Sequence, residues 1–180
     1  MGRLTAGQTP QLIVRSLSRR SQIGRLTIGG LTVACALGRA GKVVRKREGD
    51  GATPIGLFPL RYAFYRADKT KRPSTGLALK KITQNAGWCD APSHPRYNQY
   101  VCHPFPASAE KLWREDQLYD VVIVIGHNDR PRTRAGGSAI FLHIARDGFT
   151  PTEGCVALHR SAMRKVLARL RPKTKIRICF

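Results

Sequence analysis

Gly136-Gly-Ser-Ala-Ile-Phe-Leu-His-Ile-Ala-Arg-Asp-Gly-Phe-Thr-Pro-Thr-Glu-Gly-Cys-Val-Ala-Leu-His159 is the stretch on which the reading of this chain turns. Its apolar run Ala139 to Leu142 predicts a strand that delivers His143. A loop with Gly148 and Pro151 follows. The turn Thr152-Glu153-Gly154 then presents Cys155, twelve positions after His143, and the chain returns to apolar residues at Val156. A thiol is a weak nucleophile until it loses its proton, and an adjacent imidazole can take that proton. Gly154 keeps the turn narrow and leaves space for a carbonyl to approach. The backbone N–H groups around Gly154 and Cys155 are candidates to hold an oxyanion. The residues alone leave a second reading open, in which Cys155 is a buried apolar thiol and His143 a satisfied histidine at a strand end.

Outward from this stretch, short strands dominate. Gln11 to Leu17 has strand-like content. Arg25 to Ile28 and Leu31 to Cys35 alternate with period two around Gly29-Gly30, which predicts a hairpin because glycine accepts the positive φ of a type I′ turn. Lys42 to Lys46 predicts a short strand. Arg47 to Phe58 is rich in glycine and proline and leads into a strand over Leu57 to Phe64. It lacks the Gly-Lys-Ser/Thr ending of a phosphate-binding loop.

Arg66 to Pro73 is a basic, solvated excursion. Trp88, Tyr97 and Asn98 fall in a proline-rich region without periodicity, where a lid and simple packing are both expected readings. Ser108 to Trp113 predicts a short helix capped by Ser108. Val121 to Ile125, unbroken and β-branched, predicts a central buried strand that ends at Gly126-His127, so His127 is a candidate second site histidine. Met163, Val166, Leu167 and Leu170 form one stripe of a helix capped by Ser161 and running to about Arg171. Lys173 to Ile178 alternates like a closing edge strand.

The chain has 180 residues, room for one domain with a real core. We expect residues 1–24 to form an N-terminal extension with the first strand, and residues 25–180 the domain proper. Pattern alone gives a mainly β or α+β fold. The net charge is +21, from 32 Lys and Arg against 11 Asp and Glu, spread along the chain. Such a field attracts polyanions, whether nucleic acid or an acidic wall polymer. A nucleic-acid-binding module is the rival reading this charge raises, although no helix-turn-helix, zinc finger or RNA-binding sheet motif accompanies it.

The five cysteines make no Cys-x-x-Cys or Cys/His zinc spacing, so we expect neither metal nor cofactor. Cys89 and Cys102 are expected as plain thiols, with a bridge open to them if the protein is exported. No segment has the length of a transmembrane helix. The apolar run Leu31 to Leu37 is late, short and broken by Thr32, and does not read as a signal peptide.

The pattern His143, Thr152-Glu153-Gly154-Cys155, Val156 resembles the signature of the L,D-transpeptidase (YkuD-type) catalytic domain. Thr53-Pro54-x-Gly56-x-Phe58 is similar to the Thr-Pro-x-Gly-x-Phe turn upstream in the same family, and we read that turn as structural. Trp88-x-Asp90 with Tyr97-Asn98 resembles a motif of one bacterial branch. The resemblance covers roughly residues 25–179. It implies a β-sandwich of mixed sheets with peripheral helices, Cys155 as nucleophile, His143 as base and Gly154 beside the oxyanion site. It places Thr152 where a Ser usually supports the pair, and His127, Trp88, Tyr97 and Asn98 become candidates for substrate contact. Two positions depart from the family pattern: Glu153 stands where many members have His, and Ala157 where many have Arg. The activity implied is transpeptidation of peptidoglycan stem peptides in the cell envelope. L,D-carboxypeptidase activity and a non-catalytic wall-polymer-binding role are the alternatives.

Overall fold

A computed structural model of the chain describes residues 10–180; the expected loose start over residues 1–10 falls almost wholly outside them. The strands are β1 (Gln11–Arg15), β2 (Ile23–Ile28), β3 (Leu31–Ala36), β4 (Lys42–Val43), β5 (Thr53–Pro54), β6 (Gly56–Tyr65), β7 (Leu79–Lys81), β8 (Ala86–Cys89), β9 (Tyr100–Cys102), β10 (Ala109–Lys111), β11 (Val121–Ile125), β12 (Phe141–Ile144), β13 (Val156–Leu158) and β14 (Lys175–Ile178). The single α-helix among the described residues is α1 (Arg160–Leu167).

The main sheet runs β11-β12-β13-β3-β2-β1-β14-β6-β7, and β6 pairs back to β11. Eight strands therefore close on themselves like a barrel, with β7 appended to β6. The resemblance implied two sheets packed face to face; here one continuous ladder encloses the core. The β12–β13, β1–β14 and β6–β7 pairs are parallel, and the other pairs of this sheet are antiparallel. Closure leaves few exposed edges.

Successive strand residues point to opposite faces. Leu142, Ile144, Val156 and Leu158 enter the main core with Leu12, Leu26, Ile123 and Ile176. Phe141 and Cys155 fall in a second cluster with Phe64, Trp88, Tyr119, Val122 and Val124. That second cluster lies under a small sheet ordered β10-β8-β9. Val121 to Ile125 is continuously apolar because its odd positions fill the first core and its even positions the second.

The predicted hairpin forms: Ile28 pairs with Leu31, and Gly29 and Gly30 take φ of 50° and 78°. Three expectations change. Ser108 to Trp113 contains strand β10, not a helix, because a segment this short gains little from one helical turn and finds the open edge of β8, where Glu110 pairs with Trp88. Strand β14 is not an edge: it lies between β1 and β6, and Lys175 and Arg177 are exposed because they occupy the outer face of the closed sheet. Helix α1 is capped by His159, whose side chain accepts from the Ser161 N–H, and it ends at Leu167. Its Ala162, Met163, Val166 and Leu167 join the main core.

Cys89 and Cys102 do not bridge; all five thiols are free. On the β8–β9 ladder Cys102 pairs with Ala86, three residues from Cys89. No helix among the described residues is long and apolar enough to cross a membrane.

Candidate active site

Strand β12 fixes one half of the site and β13 the other. Their parallel register sets Leu142 opposite Val156 and His143 opposite Ala157. Cys155, one residue before β13, is thus level with Phe141. His143 and Cys155 share the outer face, one strand apart and two residues out of step, which places their α-carbons roughly 8 Å from each other. Both line one cavity of about 520 Å³.

The cysteine is held from several sides. Its Sγ accepts from the Phe141 N–H at 3.3 Å and donates to the Ala139 carbonyl at 3.2 Å. The Thr152 hydroxyl donates to the Cys155 carbonyl at 2.7 Å and accepts from the Gly154 N–H at 3.2 Å, closing the turn on itself. That engagement removes the Gly154 N–H from the oxyanion donors considered from sequence. The Cys155 N–H makes no bond to the described residues and remains available. Gly154 has φ of 128°, and a Cβ there would meet the Ala52 carbonyl at 2.7 Å, so only glycine fits without a shift. Residue 52 begins the Thr-Pro turn. Thr53 Oγ1 accepts from the Gly38 N–H at 2.8 Å and reaches the Cys155 carbonyl at 3.5 Å. The turn read as purely structural therefore braces the Cys155 loop directly.

His143 is 6% exposed, and its Nδ1 lies 2.8 Å from the Ile144 carbonyl. A carbonyl only accepts, so Nδ1 carries the proton and Nε2 presents its lone pair. Tyr119 packs edge-on against the imidazole, with centroids 5.4 Å apart. Burial pushes the His143 pKa down to about 4, helped by the Arg114 and Arg146 charges and opposed by the bond to Ile144 and by Asp116. Burial, and after it the Glu110 charge, pushes the Cys155 thiol up to about 12, against the Phe141 N–H and Lys46. The resting pair is neutral thiol and neutral imidazole, and the thiol proton points to Ala139, not to His143.

Thr152 lines the cavity; Trp88, Tyr97, Asn98 and His127 do not. Trp88 and Tyr97 are buried, not spread over the site as a lid. Trp88 packs edge-on to Phe141 at 5.2 Å. Asn98 is a buried hub. Its Oδ1 accepts from Trp88 Nε1 at 2.9 Å and from the Ala139 N–H at 3.2 Å, and its Nδ2 donates to the carbonyls of His127 and Asn128 at 3.0 and 2.8 Å. It thereby fixes Ala139, whose carbonyl accepts the hydrogen bond from the thiol. Replacing Asn98 with Ala strands two donors and two acceptors, and we expect a loss of about 2–3 kcal/mol, read by urea unfolding. His127 Nε2 pairs with the Gly136 carbonyl at 2.9 Å and its ring meets Phe58, so it serves the loop.

Glu48, Asp90, Glu110, Arg114 and Arg146 line the cavity and were not legible as site residues. The strand β10 that carries Glu110 was expected as a helix, and Glu48 sits in a loop whose composition says only turn. Arg146, on the loop between His143 and Cys155, is exposed and free of an ion pair among the described residues. It supplies positive charge near the position where Ala157 supplies none.

No curated protein and no solved structure matches the chain. A family model does, that of the L,D-transpeptidase catalytic domain, over residues 11–178. The match spans nearly the whole closed sheet, from β1 to the end of β14, and includes every residue of the cavity. The chain belongs to the YkuD family of L,D-transpeptidase catalytic domains.

Proposed function

We propose that the protein is a cysteine-dependent peptidoglycan L,D-transpeptidase acting in the cell envelope. The observation that carries this reading is the shared cavity of Cys155 and His143, with the imidazole held in the tautomer whose free nitrogen is basic. Cys155 Sγ attacks the carbonyl between the L-centre and the terminal D-residue of a stem peptide. The thiol proton moves to His143 Nε2 as the C–S bond forms, which suits a pair that is neutral at rest. The Cys155 N–H is placed to hold the oxyanion. The adduct collapses with loss of the D-amino acid, which takes the proton from His143. A thioester remains, and an amine from another stem resolves it to an amide. Gly154 shapes the loop and Thr152 braces it.

Incubation with a stem tetrapeptide, followed by mass analysis of protein and products, tests the proposal. We expect an acyl adduct on the protein and cross-linked dimers. Trimmed peptide without dimers would make the enzyme an L,D-carboxypeptidase. Polyanion binding without an adduct would make it a binding module.

A further inference from the structure

In a chain with 32 Lys and Arg and only 11 Asp and Glu, every carboxylate can find a cation. Six do: Glu153 with Arg39, Asp50 with Lys46, Asp129 with Arg61, Asp68 with Arg66, Asp116 with Arg114, and Asp120 with Arg160. Of the five acids without an ion pair among the described residues, Glu115 and Asp147 are exposed to solvent. The other three, Glu48, Asp90 and Glu110, line the cavity of Cys155.

Their partners are weak ones. Glu48 accepts from the Tyr97 hydroxyl and Glu110 from the Tyr119 hydroxyl, and each leaves its second oxygen without a partner among the described residues. Asp90 Oδ1 is buried with no hydrogen-bond partner among the described residues. So is the Oγ of Ser138, a residue 6% exposed that lines the same cavity. Lys46 and Arg114, also on the cavity wall, are committed to Asp50 and Asp116. Buried polar atoms without partners cost stability, and a cluster of them in a cavity marks where a ligand supplies the missing partners.

We infer that Glu48, Asp90, Glu110 and Ser138 form a seat for a primary ammonium group, that of the amine acceptor which resolves the thioester. The inference rests on the acyl-transfer reading above and selects transfer over hydrolysis. An ammonium offers three N–H donors, and the wall offers at least three free acceptor atoms. On binding, the ammonium gives one proton to a wall carboxylate. The freed lone pair attacks the thioester carbonyl, forming the C–N bond. His143 Nε2 takes the second surplus proton from nitrogen and passes it to sulfur as the C–S bond breaks. Amide and thiol result, and the wall later releases its proton to solvent.

The test uses the full chain acylated by a stem tetrapeptide, with glycinamide as the cationic acceptor and hydroxylamine, uncharged at neutral pH, as the other. Wild type is compared with Asp90→Asn and, should that variant fail to fold, with Glu110→Gln. The readout is the ratio of amide to hydrolysis product. We expect the glycinamide ratio to fall about tenfold or more, while the hydroxylamine ratio changes less than about twofold. An equal fall with both acceptors would mean a structural role and overturn the inference. An unchanged ratio with a raised donor KM would place the ammonium on the donor and overturn it too. Failure of wild type to form any acyl-enzyme would overturn the acyl-transfer reading, and the inference with it.

Discussion

Cys155→Ala is expected to abolish covalent labelling of the protein by a carbapenem and to lower turnover of a stem peptide by about three orders of magnitude or more. The residue lines the cavity with its sulfur fixed between the Phe141 N–H and the Ala139 carbonyl. No other cysteine lines that cavity, so no thiol can substitute. Intact-mass measurement of wild type and variant decides the matter. A drug-sized adduct on both proteins would place the reactive group elsewhere. The neutral resting pair adds a sharper expectation. Because burial holds the thiol at about 12, iodoacetamide should alkylate Cys155 at neutral pH far more slowly than it alkylates a free thiol of ordinary acidity. Substrate-like reagents that displace cavity water and offer a carbonyl to the sulfur should react disproportionately fast. Rapid iodoacetamide labelling at Cys155 would show a preformed thiolate and contradict the proton transfer described here.

His143→Gln should lower turnover by about 10²- to 10⁴-fold, and it should also change how stability depends on acid. Wild-type His143 is held at about 4 against an ordinary value of 6.5. The unfolded chain therefore binds a proton at this position that the folded chain refuses. The associated stability is fully present above about pH 6.5 and is lost as the pH falls towards 4, by up to about 3 kcal/mol. The glutamine variant has no such group and should lose less stability across that window. Parallel urea titrations between pH 7 and pH 4 measure the difference. Arg114 and Arg146 push the same way as burial and Asp116 opposes them, so these charges must be left intact in the comparison. Identical acid sensitivity in the two proteins would mean that His143 is solvated and not held neutral by burial. Turnover in wild type should fall on the acid side only near pH 4.

The residues that line up in sequence were the readable part of the site. His143 and Cys155 are carried by two adjacent strands whose apolar residues announce them, and a parallel register does the rest. The hairpin at Gly29-Gly30 was legible because two glycines in a row permit little else. The closure of the sheet was not, because it depends on β6 meeting both β14 and β11, pairings separated by more than a hundred and about sixty residues respectively. Period-two patterns report which face is apolar and are silent about which strand lies alongside. The same limit hid the acidic wall. Glu48 and Asp90 come from two separate loops and Glu110 from a three-residue strand, with no motif in common. Asn98 was noticed for the wrong reason: its asparagine chemistry serves four internal hydrogen bonds, not a ligand.

In β12, β13 and the residues flanking them, even-numbered positions from Leu142 to Leu158 fill the barrel, while the odd-numbered Phe141, His143, Cys155 and Ala157 form the wall outside it. Parity of residue number thus separates two kinds of heredity in these strands. Substitutions at even sites should be recorded as changes in melting behaviour, and those at His143 and Cys155 as changes in chemistry. A one-residue deletion inside β12 would turn the β12 residues on one side of it to the opposite face. A change of any length in the Arg146–Pro151 loop would leave parity within each strand untouched. The Asp147–Phe149 turn of that loop, which lines no part of the cavity, should therefore tolerate a change in length while the thiol and the imidazole keep to the same side of the wall.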